Sequence, residues 1–145
     1  YPAHVILRYE IERALIDGDI EVEDIPALWD EKMMNLLGVD TRGNYRNGCL
    51  QDIHWTDGSF GYFPSYTLGA MYAAQFAAAL QRDLGSFSTL LAQGDTGLAQ
   101  VFDWLSRHVW QQASLHDTDT LVRQATGEAL NPIHFRRHLQ QRYLG

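Results

Sequence analysis

Apolar residues recur at helical spacing along most of the chain, and glycines and prolines cut that pattern into separate runs. The first run, residues 2–16, puts Val5, Ile6, Tyr9, Ala14 and Leu15 on a helical stripe, tolerates Pro2 in its first turn and stops at Gly18. Arg8 and Glu12 stand four apart in it, the spacing of a surface ion pair. A second helix is predicted to reach Leu37, with Asp24 as its cap, Leu28, Trp29, Met33, Leu36 and Leu37 as its core face, and Gly38 as its stop. Residues 40–48, with Gly43, Asn44, Asn47 and Gly48, read as a long loop. Residues 49–54 alternate weakly, as a short strand or extended segment, and Asp57-Gly58 signals a turn.

After Pro64 the run 65–80 carries Gly69, Ala70, Ala73, Ala74, Ala77, Ala78 and Ala79, so nearly every face is small and the helix is expected in the middle of a bundle. Ser86 or Ser88 can cap a short helix to Ala92. Residues 96–112 form an amphipathic helix through Leu98, Val101, Phe102, Leu105, Val109 and Trp110. Residues 117–126 form the next, stopped by Gly127, and Asn131-Pro132 opens the last, to about Tyr143. The pattern predicts a mainly α fold: one domain over residues 1–145, built as a bundle of six or seven helices with a small β or irregular insertion.

Charge and cysteine content narrow the class. Eleven basic residues scattered among eighteen acidic ones leave a net charge of −7 and no cationic stripe, which argues against a nucleic-acid partner. The single Cys49 allows no intramolecular disulfide and no thiolate metal cluster, so a cytoplasmic location is expected, with Cys49 as a small buried hydrophobe. No apolar run reaches the ~20 residues of a membrane-spanning helix, so no membrane partner is expected. The chain begins at Tyr1-Pro2 without Met and enters a helix at once, as expected of a piece cut from something longer.

Chemistry concentrates between Gly48 and Gly69. Gln51, Asp52 and His54 can accept, donate or transfer protons, while Trp55, Phe60, Tyr62 and Phe63 offer apolar walls with polar tips. The phenols of Tyr62 and Tyr66, four apart, would line one side of a pocket. His54 has a plainer alternative as a packed histidine satisfied by Asp52 or a carbonyl, and Tyr62 and Tyr66 have one as interfacial packing residues. The other histidine pair, His134 and His138, copies the i, i+4 spacing of a zincin helix, but Phe135 stands where the general-base Glu belongs and Arg136 and Arg137 would repel a cation. Those two histidines are read as part of a basic surface.

Gly48, Gln51, Asp52, His54 and Trp55 fill every fixed position of the signature Gly-x-x-Gln-Asp-x-His-Trp, so the chain resembles the carboxypeptidase Taq family of metallocarboxypeptidases. The likeness extends to His4-Val-Ile-Leu-Arg-Tyr-Glu-Ile-Glu12, to Gly61-Tyr-Phe-Pro-Ser-Tyr-Thr-Leu-Gly69 and to Ala125-Thr-Gly-Glu with Asn131-Pro132, so it covers essentially the whole chain. The resemblance implies a partial zincin-like domain: the C-terminal portion of a zinc peptidase that releases C-terminal residues from peptides. Zinc belongs to the parent protein, because the family's His-Glu-x-x-His helix is absent from this sequence and the chain carries no metal ligands of its own.

By analogy with related gluzincin-type peptidases, where a Tyr and a His face the metal from the opposite wall, Tyr62 and His54 are expected to act as hydrogen-bond donors to the substrate, with Gln51 and Asp52 orienting His54 and Trp55 in the substrate wall. Tyr66 or Arg8 touches the substrate's terminal carboxylate. The expected partners are a peptide substrate, the remaining N-terminal part of the peptidase and, because a cut through a helical shell uncovers apolar surface, a second copy of the chain. Two other classes stay open: a stand-alone helical peptide-binding module without catalysis, and a metal-independent hydrolase pairing His54 and Asp52 with Ser59 or Ser65.

Overall fold

The computed structural model describes residues 1–112 and 114–145. Among them are seven α-helices and no strand. They fall into two compact units, Tyr1–Leu68 and Gly69–Gly145, with the boundary inside the third helix.

In the first unit, α1 (Pro2–Asp17) and α2 (Ile25–Leu37) pack against each other. Gly18 and Gly38 end them in the left-handed conformation, at φ of 76° and 67°, as the sequence predicts. Asp24 does not cap α2. Its carboxylate accepts the Glu21 N–H at 2.9 Å in a capping box around the 3₁₀ turn Val22–Asp24 that leads into the helix. The core holds Leu7, Ile11, Trp29, Met33 and Cys49, with Leu15, Ile20, Ile25, Leu28 and Trp55 packed on it. Cys49 is buried there as a packing residue, and burial pushes its thiol up.

The buried face of α1 is rotated from the expected stripe: Ile6 and Tyr9 are 48% and 44% exposed, while Arg8 and Glu12, read as a surface pair, are 0% and 2% exposed. From 38 to 63 the chain runs as turns and bends, so the insertion is irregular and the strand alternative for 49–54 is not realised. Gly48 has a steric reason to be glycine, since a Cβ there would lie 2.6 Å from the Asn44 carbonyl oxygen.

In the second unit, Ala79, Leu80, Leu90, Trp104 and Ala125 form the core, drawn from α3 (Pro64–Leu84), α4 (Phe87–Ala92), α5 (Asp95–Leu105) and α6 (Thr118–Thr126). Ser86 caps α4 by accepting the Thr89 N–H at 3.2 Å, and Asp117 caps α6 by accepting that of Thr120 at 2.8 Å. The amphipathic run after Thr96 is not one uniform helix: α5 passes at Ser106 into a π turn, Ser106–Trp110. Its buried anchor is Trp104, whose indole N–H donates to Asp83 at 2.9 Å, whereas Phe102 and Trp110 are exposed. Gly97 lets α5 press against α4, because a Cβ would fall 1.8 Å from the Leu90 carbonyl oxygen.

α3 is less enclosed than its small side chains suggest, with only Gln75, Ala79 and Leu80 buried. Small residues permit close packing on every side without requiring it. α7 (Ile133–Tyr143) completes the unit, with Asn131 Oδ1 accepting the Ile133 N–H at 3.1 Å at its entry.

Candidate functional site

α1 presents His4, Arg8 and Glu12 one turn apart on one face, and the irregular segment folds over that face. The Arg8 guanidinium lies 4.8 Å from the Trp29 ring, 4.9 Å from Trp55 and 4.4 Å from Phe63, enclosed by three aromatic faces. Its Nε–H donates to His4 Nε2 at 3.0 Å, while Nη1 and Nη2 are buried with no hydrogen-bond partner among the described residues. Burial pulls Arg8 below its ordinary pKa while the Asp52 and Glu12 carboxylates pull it back up. Burial and the neighbouring Arg8 cation lower His4, which favours the neutral imidazole whose Nε2 accepts the Arg8 proton.

Glu12 does not pair with Arg8 directly. One carboxylate oxygen accepts the Trp55 indole N–H at 2.7 Å and the other the Gly61 backbone N–H at 3.0 Å. Gly61 presents that N–H from a left-handed turn at φ 76°.

His54 is held at both ring nitrogens. Nδ1 pairs with Asp52 Oδ1, which also accepts the His54 backbone N–H at 2.9 Å, and Nε2 lies 3.2 Å from the Tyr66 hydroxyl. With its Nδ1–H on the carboxylate, a neutral His54 turns the Nε2 lone pair toward Tyr66. Phe63, Tyr62 and Tyr66 surround the ring at centroid distances of 4.6, 5.4 and 6.1 Å, and Tyr62 meets Tyr66 edge-on at 5.3 Å. Both phenols face outward, Tyr62 51% and Tyr66 40% exposed. Burial pushes the Asp52 carboxyl up, but the His54 ring and backbone hydrogen bonds, with Arg8, outweigh it and leave the carboxyl below its ordinary range. Burial raises the Tyr66 phenol, and adjacent Tyr62 adds to the shift.

The structure thus brings together Asp52, His54, Trp55, Tyr62, Tyr66 and Arg8. Gln51 stands apart, exposed and with no side-chain hydrogen bond to His54 among the described residues, so of the two residues expected to orient the imidazole only Asp52 touches it. Arg8 is enclosed and not presented at the surface. The Ser65 hydroxyl donates to the Tyr62 carbonyl at 2.6 Å, and no hydrogen bond joins the hydroxyl of Ser65 or Ser59 to the His54 imidazole among the described residues. Sequence reasoning missed Glu12 and Trp29. Their signal was the four-residue spacing of His4, Arg8 and Glu12 beside Leu7 and Ile11, which puts charge on an apolar face.

Among the described residues no three His, Cys, Asp or Glu side chains are grouped to hold a metal ion. Asp52 and His54 are engaged with each other and with Tyr66, so this donor set does not fit one. In the second unit, His134 sits in the first turn of α7 and pairs with Glu128 at 2.8 Å instead of joining His138. The apolar groove of that unit, lined by Met71, Phe135, Leu139, Tyr143 and Leu144, contains none of the candidate residues.

The family model for carboxypeptidase Taq (M32) metallopeptidases matches residues 1–143. Carboxypeptidase 1 of Bacillus subtilis (strain 168) is 40% identical over 143 residues, 99% of this chain but 28% of that protein. Among solved structures, Trypanosoma cruzi metallocarboxypeptidase 1 superposes with a TM-score of 0.93 at 51% identity, covering 100% of this chain and 30% of its own. The M32 carboxypeptidase from Deinococcus radiodurans R1 gives 0.92 at 30% identity, covering 99% and 28%. The chain therefore spans less than a third of the length of these relatives.

Proposed function

Since the chain belongs to the carboxypeptidase Taq (M32) metallopeptidase family, we propose that it supplies one wall of the cleft in a metallocarboxypeptidase that releases C-terminal residues from peptides. The metal implied by the family's description, which we take to be zinc, needs ligands from beyond this sequence. The contribution of this chain is hydrogen bonding. Addition of water to a scissile amide moves negative charge onto the carbonyl oxygen, and donors aimed at that charge lower the barrier because they bind it more tightly than the ground-state carbonyl.

Tyr62 is the proposed donor to that oxygen, and His54, with both ring nitrogens protonated so that Nε2 carries a proton, the second. The observation that carries the reading is their adjacency, with ring centroids 5.4 Å apart, on a His54 whose other nitrogen is fixed by Asp52. Asp52 holds the Nδ1–H, so the donor role belongs to the ring that carries a proton at Nε2 as well, and Tyr66 engages Nε2 until a substrate displaces it. Trp55, tied to Glu12, backs the wall.

In the complete enzyme, Tyr62→Phe lowers kcat by about 10²–10³ with KM little changed, the usual loss for one oxyanion donor. His54→Ala behaves similarly, while His134→Ala and His138→Ala are near neutral. Full activity of the Tyr62→Phe enzyme returns Tyr62 to packing. The 145-residue chain alone is expected to hold no stoichiometric metal and to release no C-terminal residues. Chelator-sensitive turnover by the pure chain overturns that assignment.

A further inference from the structure

Glu12 is 2% exposed, and its two oxygens are divided between donors 43 and 49 residues away in sequence. Those donors flank the proposed wall: the Trp55 indole belongs to the residue after His54, and the Gly61 amide to the residue before Tyr62. The segment between them is a series of turns, closed at one end by the Ser59 N–H donating to the His54 carbonyl at 2.8 Å. No sheet or helix spans His54 to Tyr62: Tyr66 relates the two side chains at their tips, and Glu12 ties the backbone that carries them.

The chemistry of the tie is specific. The two N–H donors reach two different terminal atoms of the side chain, so both atoms must accept, which the oxygens of a carboxylate do and the NH₂ of a primary amide does not. Such bonds are charge-assisted, and they act here in a buried setting where they are stronger than at a surface. The countercharge is Arg8, one turn back on α1, lying over the face of the same Trp55 whose edge Glu12 holds.

We propose that Glu12 is a positioning residue for the His54 and Tyr62 donors: a single buried carboxylate on α1 clips both ends of the segment that carries them and sets their spacing. This rests on the donor reading above. Donors to a developing charge must be held to within about 0.5 Å, and a misplacement of about 1 Å can cost 10²-fold in rate.

The test compares the complete wild-type enzyme with Glu12→Gln, Tyr62→Phe and the double variant. Glu12→Gln keeps the size of the side chain but sets an amide NH₂ against one of the two donors. It is expected to lower kcat about 10- to 100-fold with KM within twofold, and to cost less in the Tyr62→Phe background than alone, because only its effect through His54 remains there. A residue needed only for stability lowers the melting temperature in both backgrounds and is not masked in this way. Unchanged kcat in Glu12→Gln, or losses that simply multiply in the double variant, overturns the proposal and leaves the donor reading intact.

If Glu12→Gln does not fold, Trp55→Phe removes one of the two bonds from its other end and is judged by the same criteria. A fully active Tyr62→Phe enzyme overturns the donor reading instead. The clip is then read from hydrogen exchange in the 145-residue chain, where Glu12→Gln speeds the Trp55 indole and Gly61 amide protons at least tenfold. Unchanged exchange at both overturns it.

Discussion

In the unit Gly69–Gly145, buried Gln75 donates its two amide protons to the Thr126 hydroxyl and the Ala129 carbonyl, with the Glu128 carbonyl sharing one of them at 3.3 Å, and accepts the Asn131 N–H at 2.8 Å, and Thr126 Oγ1 donates onward to the Val122 carbonyl. In the unit Tyr1–Leu68, buried Arg8 uses one of its nitrogens and leaves two without partners. All four buried side-chain polar atoms that lack a partner among the described residues lie in this unit, on Arg8, Trp29 and Thr67. Interior polar groups that are fully paired act by contact, and what they fix is the path of the backbone. A buried cation short of partners acts instead through its field: Arg8 adds to the burial that lowers His4 and to the His54 hydrogen bonds that hold Asp52 below its usual range. The two units thus spend buried polarity differently, one on joining α3 to the loop between α6 and α7, the other on charging a site.

The strongest test of that contrast is Arg8→Ala. It empties the aromatic cage and removes the cation facing Glu12 and Asp52, with an expected cost of about 3–5 kcal/mol in urea unfolding of the chain. A loss under about 1 kcal/mol makes the cation dispensable and removes the difference between the units. Next comes Gln75→Leu, which strands several backbone and hydroxyl partners for about 1–3 kcal/mol while leaving kcat per folded molecule of the complete enzyme unchanged. A fall in kcat there would give unit two a part in the chemistry.

The third test is acid stability. The folded state depresses the Asp52 carboxyl, so its contribution is complete above the unfolded value of about 3.9 and is lost as pH falls through the lowered native value. Asp52→Asn should therefore flatten the decline of the urea midpoint below about pH 4. A decline as steep as that of wild type means the hydrogen bonds from His54 do not stabilise the charged form. The smallest effect is Ser86→Ala, which removes the cap of α4 for about 1 kcal/mol without affecting kcat. A loss of turnover in that variant would blur the division.

Helix periodicity, caps and stops were legible because they are local. Gly18, Gly38 and Gly127 end their helices in the left-handed conformation, and Ser86 and Asp117 open theirs, since each is dictated by residues within one turn. The site was legible as composition: Asp52, His54, Tyr62 and Tyr66 lie within fifteen residues, and their contacts form within that span. What the sequence could not assign was which face of α1 is buried. Its pattern favours Ile6 and Tyr9, and charged residues at helical spacing are ordinarily solvated.

The tertiary structure decided otherwise because two remote partners arrive together. Trp55 and Gly61 bring N–H groups to Glu12 from 43 and 49 residues away, while Trp29, Trp55 and Phe63 bring aromatic faces to Arg8. Burying either charge costs several kcal/mol unless such partners are present. Their presence is a property of the folded chain and of no single window within it. The sequence by itself determined the helices and the chemical content of the segment 48–69. Only the folded structure decided that a helix with a modest apolar stripe would turn its charges inward and become the part on which that segment is mounted.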